Sequence, residues 1–89
     1  MGNKTIVYIL RSQHNPLRRY TGLTSDLDLR LQAHNAGQNF DTAQDRPWTL
    51  FASFRFWNEQ TARCFEKYLK SGSGRAFAKR HFDEAMPKT

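Results

Sequence analysis

The chain has 89 residues and a formal net charge of +6 at pH 7, and 38% of its residues are hydrophobic. This length excludes a large core, so we predict one domain over residues 1–89 with its core at about 5–82. The single Cys64 excludes an internal disulfide and a multi-cysteine zinc site, and we expect it to be an inert small filler. No apolar run approaches the ~18 residues that span a membrane, and no signal peptide is evident, so we expect a cytoplasmic protein without membrane contact.

The first predicted strand, Thr5 to Arg11, is rich in β-branched and aromatic residues and is nearly continuous in hydrophobicity. Such a strand is typical of the centre of a sheet, where both faces are buried. A turn signal at residues 14–16 (His-Asn-Pro) separates it from a short antiparallel strand at Arg18 to Gly22. The two strands bring Tyr8 and Tyr20 into the same small sheet.

A helix is predicted to begin at the N-cap Ser25 and to end at about 35–36, before Gly37. The following polar loop, Gly37 to Pro47, is long for so small a domain, which favours a function for it.

Two apolar stripes run along this helix at 100° per residue. The first contains Leu27 and Leu31, and it is bordered by Arg30 and His34. The second lies roughly opposite and consists of Leu29, Ala33 and Ala36. Periodicity alone leaves open which stripe meets the sheet.

The rest of the chain reads as one strand, two helices and a tail. They are a strand at Trp48 to Trp57, a helix capped by Asn58 that ends at about Lys70, a short basic helix at Arg75 to Phe82, and a frayed tail at Asp83 to Thr89. The order β-β-α-β-α-α predicts an α+β fold, in which helices flank a small three-stranded antiparallel sheet.

Glu66 is a carboxylate on the apolar stripe of the second long helix, together with Ala62, Phe65 and Leu69. Such a position is costly unless the carboxylate is paired or binds a metal ion. Both outcomes are open from the residues alone. The candidate ion-pair partners are Lys67, Lys70 and Arg30.

Five side chains together favour phosphodiester hydrolysis, although each has an ordinary structural interpretation when taken singly. They are Tyr8, Tyr20, Arg30, His34 and Glu66. The reaction needs a base for water, a cation for the charge that develops on phosphate, and help for the leaving oxygen. One divalent ion on a carboxylate, with an arginine nearby, could supply the electrostatics.

These residues resemble the motifs of the GIY-YIG nuclease superfamily. The motifs are Val-Tyr-Ile at residues 7–9, Tyr-Thr-Gly at residues 20–22, a helical block with Thr24, Asp26, Leu27, Arg30, Leu31 and His34, and the later Glu66. The resemblance covers about Thr5 to Phe82 and is strongest to small stand-alone bacterial members. Val7 replaces the usual Gly and Thr21 the usual Ile or Val, but both tyrosines and Gly22 remain.

The resemblance implies a role for each of these residues. Tyr8 acts as general base or helps to activate water, and Tyr20 positions water or phosphate. Arg30 stabilises charge on the scissile phosphate, His34 assists proton transfer, and Glu66 binds one Mg²⁺ or Mn²⁺. The implied activity is a metal-dependent endonuclease that hydrolyses DNA by one-step water attack, with DNA repair or recombination as an expected setting.

The positive charge favours a polyanionic partner. Candidate nucleic-acid contacts are Arg18, Arg19, Lys67, Lys70, Ser71, Arg75 and Lys79. Many family members also carry an Asn beyond the metal glutamate, but no Asn follows Asn58 here. Ser71, Ser73 or the backbone of the glycine-rich turn is a candidate to replace it.

Three functions therefore compete: an endonuclease acting on DNA, a nucleic-acid-binding module without turnover on a nuclease fold, and a protein-interaction domain. The complete set of five site residues favours the first over the second, and the clustered charge favours either over the third. Because no base-reading motif is evident, we expect low sequence specificity. RNA stays open as a partner, and we expect a monomer or a weak homodimer.

Overall fold

The computed structural model describes residues 3–83. Its elements are β1 (Ile6–Ser12), β2 (Arg19–Thr24), α1 (Leu27–Asn35), α2 (Phe40–Ala43), β3 (Trp48–Arg55), α3 (Glu59–Leu69), α4 (Gly72–Ala78) and a π-helical turn (Lys79–Asp83). The predicted α+β class is confirmed. The predicted frayed tail, apart from Asp83, lies outside the described residues.

The three strands form an antiparallel sheet in the order β2-β1-β3, with β1 in the centre as predicted. Every residue of β1 except Arg11 is buried, because β1 has a neighbouring strand on each side and helices cover both faces of the sheet. β2 is an edge strand, and this edge carries the glycine of the second motif, Gly22, directly opposite Tyr8.

Each face of the sheet has its own hydrophobic core. On one face, Val7 and Ile9 pack against Ala62 and Leu69 of α3. Partly buried aromatic side chains surround this core, and they are Phe51, Phe54, Phe56, Phe65, Phe77 and Phe82. The predicted apolar stripe of α3 therefore faces the sheet, and α4 closes the same side.

On the other face, Tyr8 packs with Trp48, and Leu27 and Leu31 of α1 cover them. This answers the question that periodicity left open, since Leu29 on the opposite stripe is 62% exposed. The side of α1 that faces the sheet is thus the side that is bordered by Arg30 and His34.

The predicted N-cap Ser25 of α1 is wrong, because Asp26 caps the helix and its carboxylate accepts a hydrogen bond from Leu29 N at 3.1 Å. The cause is the hydroxyl of Thr24, which accepts a hydrogen bond from the Asp26 backbone N–H and extends the turn by one residue. The last helix also begins earlier than predicted, at Gly72, because Ser71 caps it by accepting from Gly74 N at 3.1 Å.

Two further expectations fail. The polar segment from Gly37 to Pro47 is not a plain loop, since it contains the short helix α2, which Asn39 caps through its side chain. Cys64 is exposed rather than a filler in the core, because on α3 it lies away from the side of Ala62 that faces the sheet. Within residues 3–83, no helix combines the length and apolarity needed to cross a bilayer.

Candidate active site

Tyr8 extends from the central strand across the edge strand. Its ring lies over Gly22, so that a Cβ atom added there would be only 2.8 Å from Tyr8 Cε1. Only glycine fits opposite this tyrosine without displacing it. Steric contact with the Tyr8 ring therefore explains why the second motif has glycine at this position. The Tyr8 hydroxyl is thereby carried to the β2 side of the sheet, while the residue as a whole is 1% exposed.

His34 is fully buried, and both of its ring nitrogens are hydrogen-bonded. A 3.0 Å hydrogen bond joins Nε2 to the Tyr8 hydroxyl, and a 2.8 Å hydrogen bond joins Nδ1 to Thr42 Oγ1 on α2. Burial, with the nearby Arg30 charge, lowers the pKa of His34 below its ordinary 6.5. The imidazole is therefore neutral at physiological pH.

Tyr20 of β2 completes an aromatic cluster with these two residues. Its ring centroid lies 4.8 Å from that of His34 and 6.2 Å from that of Tyr8. Because Tyr20 is only half-buried, it forms the part of the cluster that solvent, or a substrate, can reach.

Arg30 lies against the Tyr8 hydroxyl on the α1 side of the cluster, and its hydrogen bond and positive charge lower the pKa of that phenol. Burial and the neighbouring Tyr20 outweigh this effect and raise the pKa of Tyr8 to about 12. Tyr8 is consequently a neutral phenol over the whole physiological range. Any base chemistry at its oxygen requires that the phenol proton move elsewhere at the same time.

Residues 4–81 of the chain match the family model of the GIY-YIG catalytic domain. The chain belongs to the GIY-YIG family. Comparisons with curated proteins and with solved structures gave no match. Membership confirms the resemblance that the motifs indicated, and it makes this chain a member of a nuclease family, with nucleic acid as the class of substrate.

Glu66, the predicted metal ligand, lies on α3 across the sheet from α1, and its negative charge contributes to the raised pKa of Tyr8. Of the partners that the sequence left open, the structure selects Lys70, whose Nζ donates to Glu66 Oε2 at 2.6 Å. The Glu66 side chain is 19% exposed, so it is only partly shielded from solvent. Among the described residues, no group of three or more His, Cys, Asp or Glu side chains forms a ready metal cluster.

A basic groove adjoins the half-exposed tyrosine of this GIY-YIG domain. It has a volume of about 700 Å³ and runs between the β1–β2 hairpin and the junction of α3 with α4. Its cationic lining residues are Arg18, Arg19, Lys70, Arg75 and Lys79, and Tyr20 lies at its wall. Five of the seven residues that the sequence suggested for nucleic-acid contact are thus brought into one groove.

The other two suggested contacts, Lys67 and Ser71, are exposed but do not line the groove. The Ser71 hydroxyl donates to the Tyr68 carbonyl at 2.6 Å and accepts from Gly74 N, as expected of a helix cap. Within the groove, Arg18 forms a 3.5 Å ion pair with Asp45.

Sequence reasoning missed Thr42, which is 1% exposed and is hydrogen-bonded to the buried imidazole of His34. It also missed Trp48 as a support, since Trp48 Nε1 donates to the Thr42 carbonyl at 2.8 Å. A signal was present in the unusual length of the segment 37–47 and in Asn39 followed by Asp41, a pattern that favours a helix start.

Proposed function

We propose that this GIY-YIG chain is a divalent-metal-dependent endonuclease that hydrolyses DNA phosphodiester bonds by one-step attack of water, with low sequence specificity. The observation that supports it best is the hydrogen bond from Tyr8 to the buried, neutral His34, beside the Arg30 guanidinium. A proton route and a cation at one point are what phosphodiester hydrolysis requires.

In this mechanism Tyr8 and His34 act as one base. A phenol with a pKa near 12 cannot take a proton from water at neutral pH unless it releases its own. The lowered pKa of His34 keeps the imidazole neutral, so that one ring nitrogen is free to accept that proton, and the 3.0 Å between Nε2 and the Tyr8 hydroxyl is a hydrogen-bond distance. Water therefore loses its proton to Tyr8 while Tyr8 passes its own to His34.

Arg30 and Tyr20 serve the phosphate. A guanidinium offers two parallel donors to a phosphate, so Arg30 stabilises the negative charge that grows on the non-bridging oxygens. Tyr20 is the half-exposed member of the cluster and positions the phosphate or the attacking water at the entrance.

Glu66 fits a divalent ion of the Mg²⁺ type. Mg²⁺ keeps several of its waters and binds through one or two carboxylates together with substrate phosphates, so a single partly exposed carboxylate suffices. We propose Mg²⁺ or Mn²⁺ as the ion, which when bound supplies further charge stabilisation to the phosphate. The ion pair from Lys70 must be released for this purpose, and Lys70 is then free to contact the nucleic acid in the groove.

The basic groove supports a substrate that is held mainly by its phosphates. Five cations line it, and the sequence contains no recognised base-reading motif. Contacts to phosphate carry no sequence information, which is the basis for the proposed low specificity. Lys67 and Ser71 are proposed as peripheral contacts, and DNA repair or recombination in the cytoplasm as the setting.

The test is cleavage of supercoiled, branched, flapped and single-stranded DNA, and of an RNA, with Mg²⁺, Mn²⁺ or chelator. Tyr8→Phe and Glu66→Ala are compared with two matched controls, Tyr68→Phe and Glu59→Ala. The controls change another tyrosine and another glutamate of the chain, both of which lie on α3. Metal-dependent cleavage that only the first two variants lose supports the proposal.

The ion pair between Lys70 and Glu66 favours a second candidate function, because Lys70 occupies the carboxylate that a metal ion would need. A nucleic-acid-binding module without turnover would bind DNA with a steep salt dependence and cleave none of the substrates. Cleavage that persists in Glu66→Ala would contradict the metal assignment. Binding that does not respond to salt would contradict both candidates.

A further inference from the structure

The short helix α2 is fixed rigidly behind the active-site histidine. Thr42 is buried, and its carbonyl accepts a hydrogen bond from Trp48 Nε1 at 2.8 Å. Asn39 caps the helix by accepting from Asp41 N at 2.8 Å. A four-residue helix cannot be stable alone, so these contacts, together with the bond from Thr42 to His34, hold it in place.

The direction of the hydrogen bond between Thr42 and His34 follows from the single proton of the hydroxyl. Thr42 Oγ1 donates to the Asn39 carbonyl at 3.3 Å, as threonine commonly does near a helix start. With its proton used there, Oγ1 can only accept from the imidazole, 2.8 Å away. His34 must then carry its proton on Nδ1, which leaves Nε2 without one.

The other side of the ring is compatible with this tautomer. Arg30 lies against the Tyr8 hydroxyl, and a guanidinium has donors but no acceptor. The phenol oxygen can accept from Arg30 while it directs its own proton to His34 Nε2, 3.0 Å away. With the Thr42 hydroxyl as the acceptor at Nδ1, both hydrogen bonds of the imidazole are satisfied in the Nδ1–H tautomer.

We propose that Thr42 is a positioning residue that holds His34 in the Nδ1–H tautomer, so that the Nε2 lone pair faces the Tyr8 proton. The tautomer is a property of the fold, whereas its consequence for cleavage rests on the function proposed above. A third group that orients a histidine base has the same part in other hydrolytic sites.

Each proton that leaves one group in this step is taken up by another. As the water oxygen attacks phosphorus, its proton moves to the Tyr8 oxygen and the Tyr8 proton moves to His34 Nε2. The phosphorus–oxygen bond to the leaving group breaks, and the leaving oxygen takes a proton from solvent. His34 is then an imidazolium whose Nδ1–H still donates to Thr42, and its extra proton leaves through the Tyr8 hydroxyl, because the imidazole itself has no exposed surface.

The test compares Thr42→Val, which keeps the shape without the hydroxyl, with Thr42→Ser, which keeps the hydroxyl. Imidazole ¹⁵N shifts of histidine-labelled protein, assigned with His34→Gln, report the tautomer without any need for activity. We expect the Nδ1–H form in the parent and in Thr42→Ser, and a shift toward the Nε2–H form in Thr42→Val. Single-turnover cleavage should fall about 10–100-fold in Thr42→Val and recover in Thr42→Ser.

Each outcome is decisive for one of the two proposals. An Nε2–H tautomer in the parent, or an unchanged Nδ1–H tautomer in Thr42→Val, overturns the inference. A changed tautomer with cleavage at the parent rate overturns the positioning role. If neither the parent nor the variants cut any substrate while the tautomer responds as expected, the proposed nuclease function fails and the assignment of Thr42 to the tautomer is supported.

Discussion

Replacing Gly22 by alanine should inactivate the enzyme while leaving it folded. The added Cβ would lie 2.8 Å from Tyr8 Cε1 and nearer still to the hydroxyl, whereas ordinary contacts begin at 3.4 Å. The ring must withdraw by about 0.6 Å at Cε1 and by about 1 Å at the hydroxyl, which is enough to disturb the geometry of the 3.0 Å hydrogen bond to His34. A displacement of about 1 Å at a reacting group can cost about 100-fold in rate.

The cost to stability should be smaller than the loss of activity, because overpacking one methyl group typically costs about 1–3 kcal/mol. In a domain of this size each kcal/mol lowers the Tm by about 4–8 °C. Gly72→Ala is the matched control, since an added Cβ there meets nothing within 4 Å. Single-turnover cleavage and thermal unfolding of both variants measure the two effects. A Gly22→Ala protein that cuts within about threefold of the parent would refute the steric reasoning.

Three further predictions concern charge and protonation. The alkaline absorbance titration should contain a tyrosine step near pH 12 that Tyr8→Phe removes, because burial raises the pKa of Tyr8. The folded-state pKa of His34 is lowered, so the contribution of His34 to the free energy of unfolding should be complete above pH 6.5 and should decline as the pH falls through the folded-state pKa. Chemical denaturation between pH 4 and 8 measures the free energy of unfolding at each pH. If His34→Gln leaves the dependence of that free energy on pH unchanged, the prediction is contradicted. Lys70→Gln should strengthen Mn²⁺ binding at Glu66, as measured by calorimetry, because it removes the ion pair. It should also reduce by about one the slope of log affinity for DNA against log salt concentration. An unchanged Mn²⁺ affinity would show that the ion pair does not compete with the metal.

The local sequence pattern was sufficient to predict the strands and helices that have a clear hydrophobic periodicity or a distinctive amino-acid composition. The continuous hydrophobicity of β1 placed it correctly in the centre of the sheet, and the two tyrosine motifs predicted the hairpin. Which face of α1 is buried could not be predicted, because its two apolar stripes lie roughly opposite each other. That choice depends on the tertiary contacts of Leu27 and Leu31 with Tyr8 and Trp48.

The parts that the sequence did not indicate depend on contacts between distant segments. Helix α2 has only four residues, too few to show a period, and its position is determined by hydrogen bonds to His34 and Trp48. The groove brings Arg18 together with Lys70 and Arg75, residues that no local pattern connects. Lys70, the ion-pair partner of Glu66, was likewise only one of several candidate partners in the sequence.

Tyr8 belongs to the hydrophobic core, and its hydroxyl is hydrogen-bonded to His34. If the proposed mechanism holds, a single oxygen atom separates an active protein from an inactive one of the same shape. Phenylalanine preserves the ring that packs with Trp48, and it leaves the basic groove untouched. A library of variants at position 8 should therefore retain the aromatic residues when it is selected for abundance and tyrosine alone when it is selected for cleavage. Under the proposed function, one nucleotide change from a Tyr to a Phe codon would convert the nuclease into a nucleic-acid-binding protein with the same aromatic packing.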